Sequence, residues 1–175
     1  MAIDRSKVPP QGAYRARECP VICQLDVLQP TEPAPKPDFY AMLGQQGDGY
    51  EASLFEVILA NHPDAVDVEE DEAKTVAAIQ ARVPIILSPK LPVDEAGRRV
   101  GKPDILIAAP AGGYRPVDVK SHKALGPIGN GKAPALVSTP QALAYESALP
   151  DEEYKQAIIE KDDLQLAHYQ RILEA

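Results

Sequence analysis

Residues 100–121 restrict this chain more than any other stretch. They read Val-Gly-Lys-Pro-Asp-Ile-Leu-Ile-Ala, then a turn around Pro110 to Gly113, then Tyr-Arg-Pro-Val-Asp-Val-Lys-Ser. Two β-branched runs bounded by Gly and Pro predict antiparallel neighbours, Arg99 to Ala108 and Tyr114 to Ser121. Side chains alternate along a strand, so Asp118 and Lys120 project to one side while Val117 and Val119 point into the apolar interior. Asp104, at the edge of the preceding run, reaches the same spot. Two carboxylates converging beside an ammonium suit a hard divalent cation with a positive group held over it.

The flanking segments predict the rest of an α/β domain. A helix opens at Tyr50-Glu51 with Leu54, Phe55, Ile58 and Leu59 at helical spacing, and His62-Pro63 ends it. Ala65 to Glu69 reads as a short strand, Asp71 caps a helix from Glu72 to Ala81, and Val83 to Leu87 reads as a buried strand. Leu125 to Pro140 is read as a surface loop, Gln141 to Ser147 and Glu152 to Glu160 as short helices, and Leu164 to Leu173 as a last helix capped by Asp162 or Asp163. Residues 1–13 carry few core signals and are expected to pack loosely. Tyr14 to Leu28 reads as a helix interrupted at Pro20, and Gln29 to Asp38 as a proline-rich connector. The fold class is therefore α/β, a central mixed sheet flanked by helices, with the site at one sheet edge. The chain stops inside an apolar helix without a cap, which reads as a truncated C-terminus.

Composition narrows the function classes. Eighteen Pro, two Phe and no Trp describe a small-residue core with many breaks. No run approaches the ~18–20 apolar residues of a membrane span, and the first ten residues lack the apolar core of a secretory signal. Cys19 and Cys23 are too few for a disulfide framework and too few to fill a zinc shell, so a cytoplasmic protein without membrane contact is expected. The formal net charge of −8 argues against nucleic acid, but residues 98–132 hold seven basic side chains against two acids, a net +5. Arg98, Arg99, Lys102, Lys123 and Lys132 are therefore expected to line a basic surface around the site.

Four pieces of the chain are similar, in order, to the motifs of the RecB-type branch of the PD-(D/E)XK nuclease superfamily, which includes helicase-associated and CRISPR-associated exonucleases. Gly49-Tyr50-Glu51 stands where that family opens a helix with His or Glu. Gly101-Lys102-Pro103-Asp104 resembles its Gly-X-X-Asp strand, Asp118-Val119-Lys120 its Asp/Glu-X-Lys motif, and Gln165-Leu166-Ala167-His168-Tyr169 its Gln-X-X-X-Tyr helix. The resemblance spans residues 44–173. It implies a restriction-endonuclease-like core in residues 39–175, behind an N-terminal extension with its connector in residues 1–38.

It also implies roles. Asp104, Asp118 and the Val119 backbone carbonyl hold Mg²⁺ or Mn²⁺, with Glu51 as a further ligand through water and Glu56 as its competitor. Lys120 positions or deprotonates the attacking water. Gln165 holds Lys120 or a phosphate, Tyr169 stacks on a base or sugar, and Ser121 and Lys123 with the other basic residues touch DNA. Many RecB-type nucleases carry an iron–sulfur cluster on four Cys, which the two Cys of this chain cannot supply. The expected activity is metal-dependent DNA hydrolysis, most of all exonucleolytic action on single strands or duplex ends in repair or recombination, with a helicase or further C-terminal domain as partner. The rival readings are an anti-phage nuclease, a non-catalytic DNA-binding module on the same fold, and an acidic scaffold.

Overall fold

The computed structural model describes residues 9–16, 37–120, 124–128, 133–157 and 159–175. At its centre are four strands, β1 (Val66–Asp67), β2 (Ile85–Leu87), β3 (Ile105–Ala108) and β4 (Tyr114–Val117), adjacent in that order. β1 runs parallel to β2, and β2–β3 and β3–β4 are antiparallel, so the sheet is mixed. The strands are shorter than the sequence reading because proline interrupts them. Pro103 has no N–H to extend β3 towards Arg99, and Pro116 is tolerated because β4 is the edge strand.

Alternation along these strands divides the core between two faces. Ile85, Leu87, Ile105 and Ile107 pack with Phe55 and Ile58 of helix α2 (Asp38–Asn61). Ile86, Leu106 and Tyr114 face the opposite way, onto Ala78 of α3 (Glu72–Gln80) and onto Tyr169 and Ile172 of α4 (Glu160–Leu173). Helices therefore cover both faces, as expected. Asp71 caps α3 as read, its Oδ1 accepting the Lys74 N–H at 2.9 Å.

Several expectations are corrected. Helix α2 does not open at Tyr50 but runs back to Asp38 through Gly44, Gly47 and Gly49. Each glycine costs about 1 kcal/mol relative to alanine, yet none removes a hydrogen bond, whereas Pro37 does and stands directly before the helix. The segment read as a loop pairs instead: β5 (Leu125–Pro127) pairs with β8 (Tyr154–Gln156), and β6 (Ala135–Val137) with β7 (Leu149–Asp151). The helix expected over Glu152 to Glu160 is thus strand β8 followed by the start of α4, and Gln141 to Ser147 forms two 3₁₀ turns. Asp162 and Asp163 lie in the first turn of α4, where their charge favours the helix N-terminus, but neither caps it.

The N-terminal residues also depart from expectation. Gln11 donates its backbone N–H to the Arg98 carbonyl and accepts from Val100 N, at 2.9 and 3.0 Å. Ala13, in the short helix α1 (Ala13–Ala16), is buried in the core beside Tyr169 and Ile172. A small side chain in a polar stretch carries little sequence signal, and only the partner surface makes it a core residue. Among the described residues no helix is long and apolar enough to cross a membrane.

Gly101, in the site-bearing segment, lies against Tyr169 and Ile172 of α4. A Cβ there would stand 2.7 Å from Tyr169 Cδ1 and 2.9 Å from Ile172 Cδ1, inside a packed core. Gly101→Ala is expected to lower stability by about 1–3 kcal/mol, read as a reduced urea midpoint at unchanged slope.

Candidate functional site

Strand register builds the site. The row Asp67, Leu87, Ile105, Val117 crosses all four strands, so one step beyond it Asp104 and Asp118 come out side by side at one end of the sheet. Asp104 Oδ2 accepts the Val119 N–H at 2.5 Å, which ties the two motif segments together. Val117 and Val119 pack on the α2 side of the sheet, and Asp118 and Lys120 turn to the other, as alternation predicts.

Helix α4 supplies the organising group. Gln165 is 1% exposed, on the helix face that also buries Tyr169 and Ile172. Its Nε2 donates to Asp118 Oδ1 and to the Tyr169 hydroxyl, both at 3.0 Å, and its Oε1 accepts from Lys120 Nζ at 3.4 Å. Only one amide orientation satisfies a carboxylate on one side and an ammonium on the other, so the network specifies it. Lys120 Nζ is also ion-paired with the buried Asp118 Oδ2.

Burial and charge together set the electrostatics. Burial raises the Asp104 carboxyl to about 7; the Val119 N–H opposes this, and the charges of Asp118 and Glu51 add to it. Glu51 is half-buried and is also raised, first by burial, then by Asp48, Asp118, Glu70 and Asp67. Its charge reaches Asp104 and Asp118 from the α2 side, whereas Glu56 is exposed. Of the two acids that competed in the sequence, Glu51 is the one whose charge is felt by Asp104.

The donor set suits a hard cation. Two carboxylates lie close enough for the charge of one to raise the other, beside the ammonium of Lys120. All the candidate ligands are oxygens, which favours Mg²⁺ or Mn²⁺ over softer metals. Among the described residues no three His, Cys, Asp or Glu side chains are close enough to form a complete ligand cluster. A cation held by Asp104 and Asp118 therefore takes further oxygens from backbone and water, with Glu51 at longer range.

Other expected residues fall elsewhere. Tyr169 is 3% exposed and its ring belongs to the core, so the stacking surface read from the sequence is replaced by a hydroxyl that holds Gln165. His168 is half-buried and bonds the Val100 carbonyl at 3.1 Å. Arg99 pairs with Asp94 at 2.6 Å and Arg98 pairs with Glu95, and both help close the turn between them. Lys102 pairs with Glu70. Three of the five residues expected to form a basic surface are therefore paired with acids that fold against them. Ser121, Lys123, Lys132, Cys19 and Cys23 lie outside the described residues.

Asp67 and Glu70 were not singled out from the sequence. Both bear on Glu51 because β1 runs parallel to β2 and ends at the same sheet end. The available signal was their position at the end of a predicted strand. Glu69 and Glu70 both adopt left-handed backbone, with φ of 53° and 56°, which swings the chain across that end.

Compared with protein-family models, with curated proteins and with solved structures, the chain finds no match.

Proposed function

We propose that this protein is a metal-dependent deoxyribonuclease with a restriction-endonuclease-like core of the PD-(D/E)XK superfamily, acting in the cytoplasm on single strands or duplex ends. One observation carries the reading: Asp104, Asp118, Lys120 and Gln165, scattered over 62 positions of the sequence, meet in a single hydrogen-bonded and ion-paired network at one sheet end. Two carboxylates converging beside an ammonium, one of them raised to about 7, form the kind of perturbed cluster that functional sites favour.

Asp104 and Asp118 would supply the anionic oxygens for Mg²⁺ or Mn²⁺, with the Val119 carbonyl and Glu51 as the further residues that would help hold it. When bound, the cation supplies charge neutralisation at the scissile phosphate and greater acidity of a nearby water. Lys120, ion-paired as an ammonium with Asp118, would orient that water and balance the charge that develops on phosphorus, and the water's proton would pass to solvent. The water oxygen bonds to phosphorus, the P–O bond to the departing sugar oxygen breaks, and that oxygen takes a proton from solvent. Gln165 keeps Lys120 and Asp118 in register, since its amide touches both.

Incubating DNA with the protein and Mg²⁺ or Mn²⁺ is expected to release fragments, and EDTA to stop the reaction. Glu51→Gln is expected to reduce the rate by roughly 10- to 100-fold, as for an outer-sphere partner of a metal, and Glu56→Gln by no more than about twofold. DNA bound but left intact under both metals would replace the nuclease with a binding module. Glu56→Gln as the costlier change would move the third acid one and a half turns along α2.

A further inference from the structure

The arm that carries β5 to β8 follows Lys120 in the chain and precedes the helix that bears Gln165. Midway along it, Leu143 stands between the two 3₁₀ turns and packs against the cluster that holds Phe55 and Ile85. His62, the half-buried residue that ends α2, meets the arm there. Its Nε2 lies 2.9 Å from the Pro140 carbonyl oxygen and 3.3 Å from the Leu143 backbone nitrogen, whose N–H is aimed at it. The contact borders a cavity of about 300 Å³ lined also by Pro84, Ile85, Ile107 and Ala108. These residues mark the end of the sheet opposite Asp104.

One nitrogen cannot serve both partners. The carbonyl needs a proton on Nε2, and the amide N–H needs a lone pair there. We propose that His62 is a proton-operated latch on the arm: protonated, it grips Pro140 and releases Leu143, and neutral, it turns a lone pair to Leu143 by carrying its proton on Nδ1. Imidazole is the side chain that changes charge within the physiological range. Its cation is the stronger donor to a carbonyl, and His62 stands at the C-terminal end of α2, where the helix dipole favours positive charge. Among the titratable groups around it, Glu146 lines the same cavity from the arm and Asp64 follows in the turn after α2, both exposed. The adjoining ends of β2 and β3 contribute apolar residues. Acid therefore holds the arm through Pro140, and higher pH exchanges that grip for one on Leu143. The latch is independent of the nuclease reading, since it lies at the far end of the sheet from the carboxylates.

Nuclear magnetic resonance of nitrogen-labelled protein between about pH 5 and about pH 8 reads both sides of the contact. Long-range proton–nitrogen spectra of the imidazole should show Nε2 protonated at the acid end and a rising share of the Nδ1–H form at the alkaline end. Exchange of the Leu143 amide, corrected for its intrinsic rate, should be about three- to tenfold slower at the alkaline end, the worth of one hydrogen bond. In His62→Gln the side-chain amide can donate to Pro140 and accept from Leu143 at once, so protection should be high and independent of pH. In His62→Leu it should be low and equally flat. A ring that keeps its proton on Nε2 throughout, a parent whose Leu143 protection is flat, or a pH response of the same size in the Gln variant would each overturn the latch. Should His62→Leu fail to fold, the parent and His62→Gln decide the question, because the latch alone makes the first respond to pH and the second not.

Discussion

Lys120→Ala is expected to slow phosphodiester cleavage by ~10²- to 10⁴-fold while divalent-cation binding survives or tightens. The separation follows from geometry. Asp104 and Asp118 remain to hold the ion, and removing an ammonium that is ion-paired with Asp118 takes away a competing positive charge. The same deletion leaves the buried Asp118 carboxylate without its counter-ion, so the variant should melt earlier than the parent in EDTA and recover the difference on adding Mg²⁺. Arginine should not restore the rate, because a planar guanidinium differs in volume and geometry from the ammonium that Gln165 Oε1 receives. Calorimetric titration of Mg²⁺ alongside a cleavage assay reads both quantities in one variant. Parent-rate cleavage by a folded, metal-binding Lys120→Ala protein would remove Lys120 from the mechanism.

Asp104→Asn is expected to abolish cleavage and, in the absence of metal, to make the protein more stable. Asp104 titrates near 3.8 in an unfolded chain and at about 7 in the fold. Between those pH values the folded state holds a proton that the unfolded state has lost, so stability falls as pH rises through that window, and the loss is complete above about 7. Asparagine has no proton to lose and can still accept the Val119 N–H. At pH 8 in EDTA its melting temperature should exceed the parent's by roughly 5 °C, the difference vanishing by about pH 4. Mg²⁺ should stabilise the parent at pH 8 and leave the variant unmoved, because an amide oxygen lacks the charge the cation requires. Asp118→Asn should likewise lose cleavage, and by removing one repelling charge it should bring Asp104 back towards its ordinary range. Equal metal-dependent stabilisation of parent and Asp104→Asn proteins would refute the ligand assignment.

Much of the site was legible beforehand because its signals are local. Alternation along residues 117–120 placed Asp118 and Lys120 together, the four-residue spacing of Gln165 and Tyr169 placed them on one helix face, and the turn at Pro110 to Gly113 brought Asp104 opposite Asp118. Asp71 capped its helix for the same reason: the partner N–H lies three residues away. The errors concern contacts between distant residues. β5 pairs with β8 across some thirty residues of Pro- and Gly-interrupted chain that reads equally well as loop or short helix. Lys102 looked like a free cation until Glu70 folded against it, 32 positions upstream.

Side-chain period, turn chemistry and capping act over a few residues, so composition and order were enough to establish an α/β chain, its central hairpin and the acids and lysine that crown it. Packing is a property of surfaces that exist only once the chain has folded. It made Ala13 a core residue, turned Tyr169 inward as a hydrogen-bond partner instead of outward as a stacking platform, left Glu51 half-buried and Glu56 exposed, and paired Arg98, Arg99 and Lys102 with acids. Burial, which depends on every neighbour at once, raised Asp104 to about 7, and no window of sequence contains that information.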